Sequence, residues 1–503
     1  MSDNTKLYTW LSKILGICFA LFMVCMLISN LYENKASITM ILGFGTIFLF
    51  VLFTLYLIYQ KIEWKGRMHD LCIWGVLGVL FVIQVVIAIA ACTSYGWDVG
   101  MVVDSAIQLA DSGTLSNPSY FAYYPNNVFL LLFYTNLFRI VKILGTPISY
   151  LMAAIICNII LVDISIIMLY LCGKKLLGEK RGILPSLFAV PMIGLNPWFL
   201  IPYTDTFALS FPIIIYYIYL KFIKNEWKGI PSWFFIGITA SVGILVKPQT
   251  VIILIAIVLV EIFSNHLKKE TIIKGIAYSL SLLIGFLLIS NIFHIYSNYE
   301  TSAFISEELK YEREVPFTHF FMMGMNEETL GSWYTPDVDA TQSIIGKDEK
   351  MKFNLQVIKQ RYQDFGVTGY LSFLSKKAVN IYKDGSFGYG LEGSFNTSDP
   401  FRQGKIYEKI QDVMLYNREG YEIYKQLLNA YWVVLLAFFA ISVKNIWRTE
   451  EKFIDVMKLA IFGLTLFLLL FEGRARYLYH LLPIFILVAS DGFLSWNYKR
   501  KRW

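Results

Sequence analysis

Charged side chains are scarce in this sequence: Asp, Glu, Lys and Arg make up 16% of 503 residues, where a soluble globular chain carries about 25%. With 56% hydrophobic residues and a mean hydropathy of +0.54, the shortage excludes a soluble globule and indicates a polytopic membrane protein. Cysteine is also sparse. All six (Cys18, Cys25, Cys72, Cys92, Cys157, Cys172) fall in or beside apolar runs, so the long polar insert has no disulfide framework and no Cys-based metal site. A P-loop, zinc-ligand spacing, a dinucleotide-binding glycine fingerprint and a nucleophile elbow are all missing. So are internal repeats of transporter type and low-complexity tracts. No small-x-small cleavage pattern follows the apolar run 14–29, only Asn30-Leu31-Tyr32-Glu33, so this run is expected to be a retained first span rather than a signal peptide.

What charge there is marks topology. The net charge of +7 does not call for nucleic acid, because the basic residues lie in short connectors between apolar runs. Lys61/Lys65/Arg67, Lys174/Lys175/Lys180/Arg181, Lys268/Lys269 and the tail Lys499-Arg500-Lys501-Arg502 read as cytoplasmic ends by the positive-inside rule. Twelve spans follow: 11–31, 38–59, 71–92, 150–171, 183–200, 207–223, 233–246, 251–263, 272–296, 430–443, 453–471 and 477–494. Both termini are then cytoplasmic. The run 128–144 contains Asn136, Arg139 and Lys142, and counting it as a span would place Lys174 to Arg181 outside. It is expected instead as an amphipathic helix in the outer interface. Spans 233–246 and 251–263 are short, which suggests a kink or re-entrant turn at Lys247-Pro248.

The expected fold is thus all-α: two N-terminal transmembrane helices in 1–69, then a transmembrane module in 70–296 with an outer loop at 93–149. An extracytoplasmic section at 297–428 and C-terminal helices with a basic tail in 429–503 complete it. The 297–428 section has charged runs at 348–364 and 371–383, with apolar positions such as Phe353, Val357, Ile358 and Tyr362 at helical spacing, so small helices are expected there rather than strands.

Four polar stretches fall on the outer side. They are Tyr95 to Asp104, continuing to Tyr123-Tyr124-Pro125-Asn126-Asn127; Pro202-Tyr203-Thr204-Asp205; Val246-Lys247-Pro248-Gln249; and Glu472-Gly473-Arg474-Ala475-Arg476-Tyr477. Acids and bases converging on one face of a lipid-embedded bundle suggest a site for a phosphate-bearing lipid. Asp98 leads the candidates: a carboxylate at a membrane interface can act as a general base or ligate Mg²⁺ or Mn²⁺, and as a structural residue it would cap the helix 99–109. Asp104 shares the polar side of that helix with Gln108 and Asp111, either as a second catalytic or metal-binding acid or as part of a solvated face. Asp205 has the same capping ambiguity. Lys247 lies in an apolar stretch, where a basic group is expensive and usually functional. Arg474 and Arg476 stand on the side that the positive-inside rule disfavours and suit bidentate phosphate binding, the alternative being an ion pair with Glu472. His480 is either a substrate contact or a packed, hydrogen-bonded histidine.

Taken in order, Trp97-Asp98-Val99-Gly100, Tyr124-Pro125-Asn126-Asn127, the stretch from Lys180-Arg181-Gly182 to Pro202-Tyr203-Thr204-Asp205, Lys247-Pro248-Gln249 and Glu472 to Leu478 resemble the GT-C glycosyltransferases. The resemblance is to the bacterial branch related to protein O-mannosyltransferases and aminoarabinose transferase, and it covers most of 71–494. It implies inverting transfer from a polyprenyl-phosphate sugar to a glycan, lipid or protein acceptor on the extracytoplasmic face of the cell membrane. On this chain it implies Asp98 as base, Lys247, Arg474 and Arg476 around the donor phosphate, and Tyr124, Asp205, Gln249, Glu472 and His480 near the substrate. The family often carries adjacent acids in the first loop, whereas Asp98 has no acidic neighbour before Asp104; a divalent cation is therefore an open question. The two spans before residue 71 are additions to the usual module. Two other readings share the lipid-phosphate logic: a transporter or flippase of lipid-linked glycans, and a cell-envelope polymerase or ligase. A transporter should bury ionisable groups deep in several spans, whereas these gather at one face.

Overall fold

The computed structural model describes residues 3–63, 68–264, 269–393, 395–442 and 452–497. The connector residues Lys65, Arg67 and Lys268, the basic tail 499–502 and Val443 lie outside them. Among the described residues every regular element is a helix, and the one strand-like contact is an isolated bridge between Tyr95 and Asn396. With no water in a bilayer to satisfy backbone N–H and C=O groups, helices are how such an apolar chain closes its own hydrogen bonds.

Ten described helices are long and apolar enough to cross a membrane: Leu7–Glu33, Lys35–Lys61, Asp70–Ala91, Pro125–Leu144, Tyr150–Leu177, Thr204–Ile223, Gly229–Val246, Ile272–Thr301, Glu419–Ile441 and Lys452–Leu470. All but Pro125–Leu144 coincide with expected spans. The three remaining expected spans are shorter apolar helices, Ile183–Gly194, Pro248–Ser264 and Leu482–Ser495.

The continuous span expected at 183–200 is not continuous. An α-helix over Ile183–Ala189 widens into a π-turn at Val190–Gly194 and resumes as a 3₁₀ turn at Pro197–Leu200. Pro191 and Pro197 explain the break, since each lacks an N–H and crowds the preceding turn. A carbonyl freed in this way needs a partner inside the bundle, and Gln84 supplies it, its amide 2.9 Å from the Gly194 oxygen. The turn at Lys247-Pro248 does form: Lys247 is extended, as a residue before proline must be, between Gly229–Val246 and the 3₁₀ turn Pro248–Thr250. The Gly229–Val246 helix packs closely on Lys269–Thr301. A Cβ at Gly237 would run into the Leu282 carbonyl and one at Gly285 into that of Phe234, so backbone meets backbone as small residues allow in membranes.

Ion pairs fix the relative direction of the helices. Lys174 reaches Asp70 at 2.9 Å, joining the start of Met68–Ala91 to the end of Tyr150–Leu177. Lys175 pairs with Glu226 at 2.5 Å, and Gln60 bonds the Lys180 carbonyl at 2.7 Å, so the described basic connectors gather at that end. The opposite end, where Ala91 finishes one helix and Tyr150 begins the next, is capped by the section between the two late groups of spans. Its helices are Glu307–Arg313, Phe317–Gly324, Thr335–Gln342, Lys347–Tyr382 and Lys405–Met414, and the longest is interrupted at Gly366, with φ +59°. The flanking helices Lys269–Thr301 and Glu419–Ile441 run into the section expected at 297–428.

With the turn before it, Val128–Leu144 reaches a span's length and composition as Pro125–Leu144, yet both its ends stay at the capped end. It starts at Asn127, beside Tyr120 and Tyr203; further along, Arg139 grips Glu300 at 2.9 Å and Lys142 meets Asp111. Asp111 also accepts a hydrogen bond from Tyr150. Single cysteines at Asn126 and Ile143, placed in a chain with its native cysteines replaced, are therefore expected to react with an impermeant maleimide from the same side of a sealed vesicle. Labelling from opposite sides would make this helix a span.

Candidate functional site

The site forms where the Trp97–Asp111 helix begins, immediately past the capped end of Met68–Ala91. Gly100 lets the first turn close, because a Cβ there would collide with the Tyr95 carbonyl. Trp97 is held at φ +42°, a left-handed backbone that a tryptophan adopts only when its surroundings enforce it. Here the indole stacks on Phe395 at 6.1 Å and meets Tyr203 edge-on at 5.1 Å.

Asp98 is not the cap of this helix. The N-cap is Gly96, with no side-chain bond to the first turn, and the Asp98 carboxylate turns inward. Tyr120 donates to Oδ1 at 2.7 Å and Tyr203 to Oδ2 at 3.2 Å. Asn127 completes the ring, its amide donating to the Tyr120 oxygen at 2.7 Å while its Oδ1 lies 3.3 Å from the Tyr203 hydroxyl. Burial and then the neighbouring Asp98 charge push the Tyr120 phenol well above its ordinary pKa, so it remains a donor and orients the half-buried carboxylate.

The facing wall is a buried charge cluster. Asp205 is 1% exposed and, like Asp98, caps nothing: the short helix Thr204–Phe207 follows Tyr203. Its Oδ1 takes the Lys247 ammonium at 2.7 Å, and its Oδ2 lies 3.7 Å from Arg476. Lys247 thus spends its charge on Asp205 and on the Tyr477 ring, 4.7 Å away. The Arg476 guanidinium lies 4.9 Å over Trp97 and 5.9 Å from the Tyr203 ring, which links the two walls. Glu392 Oε1 is 3.2 Å from Arg476 Nε, and its other oxygen is bonded to Arg474. Arg474 also pairs with Glu472 at 3.0 Å, and Tyr477 donates to Glu472 at 3.1 Å.

Around this cluster buried polar atoms lack hydrogen-bond partners among the described residues: Asp205 Oδ2, Arg474 Nε, Arg476 Nε and NH1, Gln249 Oε1, His480 Nε2 and Trp97 Nε1. Four of them meet one another or a neighbouring acid as ion pairs without hydrogen-bond alignment, Arg474 Nε with Glu472 at 3.0 Å, Arg476 Nε with Glu392 at 3.2 Å and Arg476 NH1 with Asp205 Oδ2 at 3.7 Å. The cluster is thus charge-paired but loosely hydrogen-bonded, where buried polar groups are usually satisfied. His480 is fully buried with Nδ1 3.0 Å from the Tyr477 carbonyl. Tyr124 stands one layer out, packed on Tyr120 and accepting from Gln342 at 3.1 Å.

Asp104 does not join Asp98. Six residues along a helix turn a side chain by about 120°, and Asp104 lines a separate cleft of about 340 Å³ with Tyr95, Ser149, Tyr150 and Phe401, where it stays exposed and partial desolvation by the cleft walls raises its pKa. A divalent cation fits poorly. The two acids expected to share it diverge, both Asp98 oxygens are engaged by phenols, and no group of three His, Cys, Asp or Glu converges among the described residues.

Sequence reasoning did not single out Glu392, Tyr120, Tyr203, Asn127 or Trp97 as site residues. Trp97, Asn127 and Tyr203 lie inside motifs it quoted, and Glu392 is the one acid of the glycine-rich Gly388-Tyr389-Gly390-Leu391-Glu392-Gly393. Tyr120 carries no local signal.

The cap also positions the arginine loop. Lys377, 0% exposed, donates to the carbonyls of Gly324, Leu469 and Phe471 at 2.7, 3.1 and 2.6 Å, which are helix-end oxygens without intrahelical partners. Glu472 N then bonds Phe320 O at 2.8 Å and Gly473 N bonds Gly331 O at 2.9 Å. Lys377→Met strands three buried carbonyls at about 1–3 kcal/mol each. It is expected to lower the thermal midpoint of the detergent-purified protein by several degrees; an unmoved midpoint would remove Lys377 from this role.

The chain belongs to the family described as conserved hypothetical integral membrane protein, whose model matches residues 5–497. No curated protein matches it. Solved structures similar to it include the crystal structure of ArnT from Cupriavidus metallidurans bound to undecaprenyl phosphate, at 12% identity over 86% of this chain and 78% of that one, with a TM-score of 0.32.

Proposed function

We propose that this integral membrane protein is a GT-C-type glycosyltransferase that moves a sugar from a polyprenyl-phosphate donor to an acceptor hydroxyl at the capped end of its bundle. The carrying observation is that two groups meet through Tyr203 and Trp97: the Asp98 carboxylate, aimed by two tyrosines instead of capping its helix, and the buried Arg476, which lies over those rings and is held by ion pairs to Glu392 and Asp205 at 3.2 and 3.7 Å. The order of the motifs along the chain supports the same reading.

In this reaction the acceptor oxygen attacks the anomeric carbon as its proton passes to Asp98. The bond from that carbon to the phosphate oxygen breaks, and its electron pair leaves with the lipid phosphate, giving inversion. Arg476 and Arg474 stabilise the departing charge, as donors aimed at a developing anion in a site shielded from water do. Lys247 acts at one remove: it neutralises Asp205, leaving Arg476 free to turn toward the phosphate. No step is routed through a metal. The donor is expected to reach the site from the lipid, with the capped end extracytoplasmic and both termini cytoplasmic.

The test is reconstitution in vesicles with a panel of polyprenyl-phosphate sugars, scoring sugar transfer and lipid translocation separately. Transfer without net translocation supports an enzyme; translocation alone supports a flippase. One observation leans toward transport, the buried Asp163 within Tyr150–Leu177, whose Oδ1 has no hydrogen-bond partner. Asp455 and Lys458 in Lys452–Leu470 and Asp491 in Leu482–Asn497 are buried as well, and ionisable groups within spans are what a transport path uses, so the translocation arm of the test carries equal weight.

A further inference from the structure

Arg474 and Arg476 are held by a carboxylate that comes from the cap, not from the bundle. Glu392 follows Gly388 and Gly390, whose φ values of +70° and +85° let the chain turn sharply into the site, as glycine permits. Its side chain is 10% exposed, bonded through one oxygen to Arg474 and 3.2 Å through the other from Arg476. One carboxylate shared by two guanidinium groups offers them the kind of oxygen pair that a phosphate offers.

Charge balance sharpens the comparison. Asp205, Glu392 and Glu472 stand against Lys247, Arg474 and Arg476, three of each sign, so the cluster is neutral as it stands. Admitting another anion beside Glu392 would leave buried negative charge unpaired, which proteins tolerate poorly. A lipid phosphodiester carries one negative charge, and replacing Glu392 by it keeps the cluster neutral. The exchange also gains contacts. Arg474 Nε and Arg476 Nε and NH1 meet Glu472, Glu392 and Asp205 only as ion pairs at 3.0, 3.2 and 3.7 Å, without hydrogen-bond alignment, whereas a tetrahedral phosphate presents oxygens in more directions.

We infer that Glu392 occupies the phosphate subsite and is exchanged one-for-one for the phosphate of the lipid donor, acting as a built-in competitor that admits only groups binding both arginines better than a carboxylate does. This rests on the reading of Arg474 and Arg476 as the donor's phosphate ligands. It assigns the subsite a position, a charge requirement and a residue that sets its selectivity.

The distinguishing consequence is a gain of binding, which a purely structural glutamate would not give. Farnesyl phosphate is titrated into the purified full-length protein in detergent at about pH 5, below the second pKa of a phosphate monoester at about 6, so that the probe carries the single charge of a phosphodiester. Binding is followed by tryptophan fluorescence and by thermal stabilisation. Glu392→Gln is expected to bind about tenfold more tightly than the parent, the low end of what a charge-assisted contact carries. Glu392→Ala is titrated in parallel, so misfolding of one variant does not decide the matter. Farnesol, lacking the anion, should show no gain. Inorganic phosphate should gain by the same factor while binding more weakly than farnesyl phosphate. If inorganic phosphate binds as tightly as farnesyl phosphate, the exchange stands and the lipid source falls. If the parent binds farnesyl phosphate and both folded variants bind it no better, the exchange is overturned while the donor reading survives. If neither parent nor variants bind it, the donor reading fails and takes this inference with it.

Discussion

Asp98→Asn is expected to lower sugar transfer by roughly 10²–10⁴-fold, the usual loss when a general base is removed, while the protein still folds and inserts. Asparagine keeps an oxygen for the Tyr120 hydroxyl, 2.7 Å from Oδ1 in the parent, and the helix start loses nothing because Gly96, not Asp98, is the cap. What disappears is the site that receives the acceptor's proton. The rate should fall with little change in donor affinity, since Asp98 touches tyrosines and not the arginine cluster. Neither parent nor variant should respond to a chelator, because the donor set around Asp98 does not suit a divalent cation. An Asn variant transferring sugar at the parent's rate would end the case for Asp98 as base, and Asp205 would be examined next. A chelator-sensitive parent would restore a metal to the mechanism.

Arg476→Met should have the largest effect on stability as well as on turnover. The guanidinium is 6% exposed, within 3.7 Å of Asp205 and 3.2 Å of Glu392, and lies over Trp97. Removing one partner of a buried charge cluster leaves the others uncompensated, a loss of about 3–5 kcal/mol. The low end, about 3 kcal/mol, is expected here, because Asp205 keeps Lys247 and Glu392 keeps Arg474. Arg476→Met leaves Asp205, Glu392 and Glu472 against Lys247 and Arg474, one negative charge in excess. Adding Glu392→Gln removes that excess and should recover part of the stability, a coupling that distant sites would not show. Thermal unfolding of the four proteins in detergent measures it. Additive losses would mean that Arg476 and Glu392 do not interact as the structure shows. Restored stability must not restore transfer, since the phosphate contact is still missing.

The apolar runs were legible in the chain because membrane insertion is read from local composition: nine of the ten long helices fall on runs of suitable length. The turn at Lys247-Pro248 was legible for a similar reason, as proline acts on its immediate neighbours. The interrupted helix at Val190–Gly194 was less so, because apolarity masks the backbone effect of Pro191. Whether Asp98 capped its own helix or faced the site was undecidable locally, since both roles favour an acid at a helix start; Tyr120 and Tyr203 decide it from 22 and 105 residues away. The same holds for Lys247, a lone base in an apolar stretch until Asp205 is brought against it. Glu392 belongs wholly to the tertiary structure: a single acid among glycines, it acquires meaning when the cap folds down and sets it between Arg474 and Arg476. The sequence by itself determined an all-helical membrane chain and the polar stretches that meet. Which charges neutralise one another, and which remain to hold a ligand, was decided by long-range packing, because pairing depends on distances of a few ångströms that local sequence does not encode.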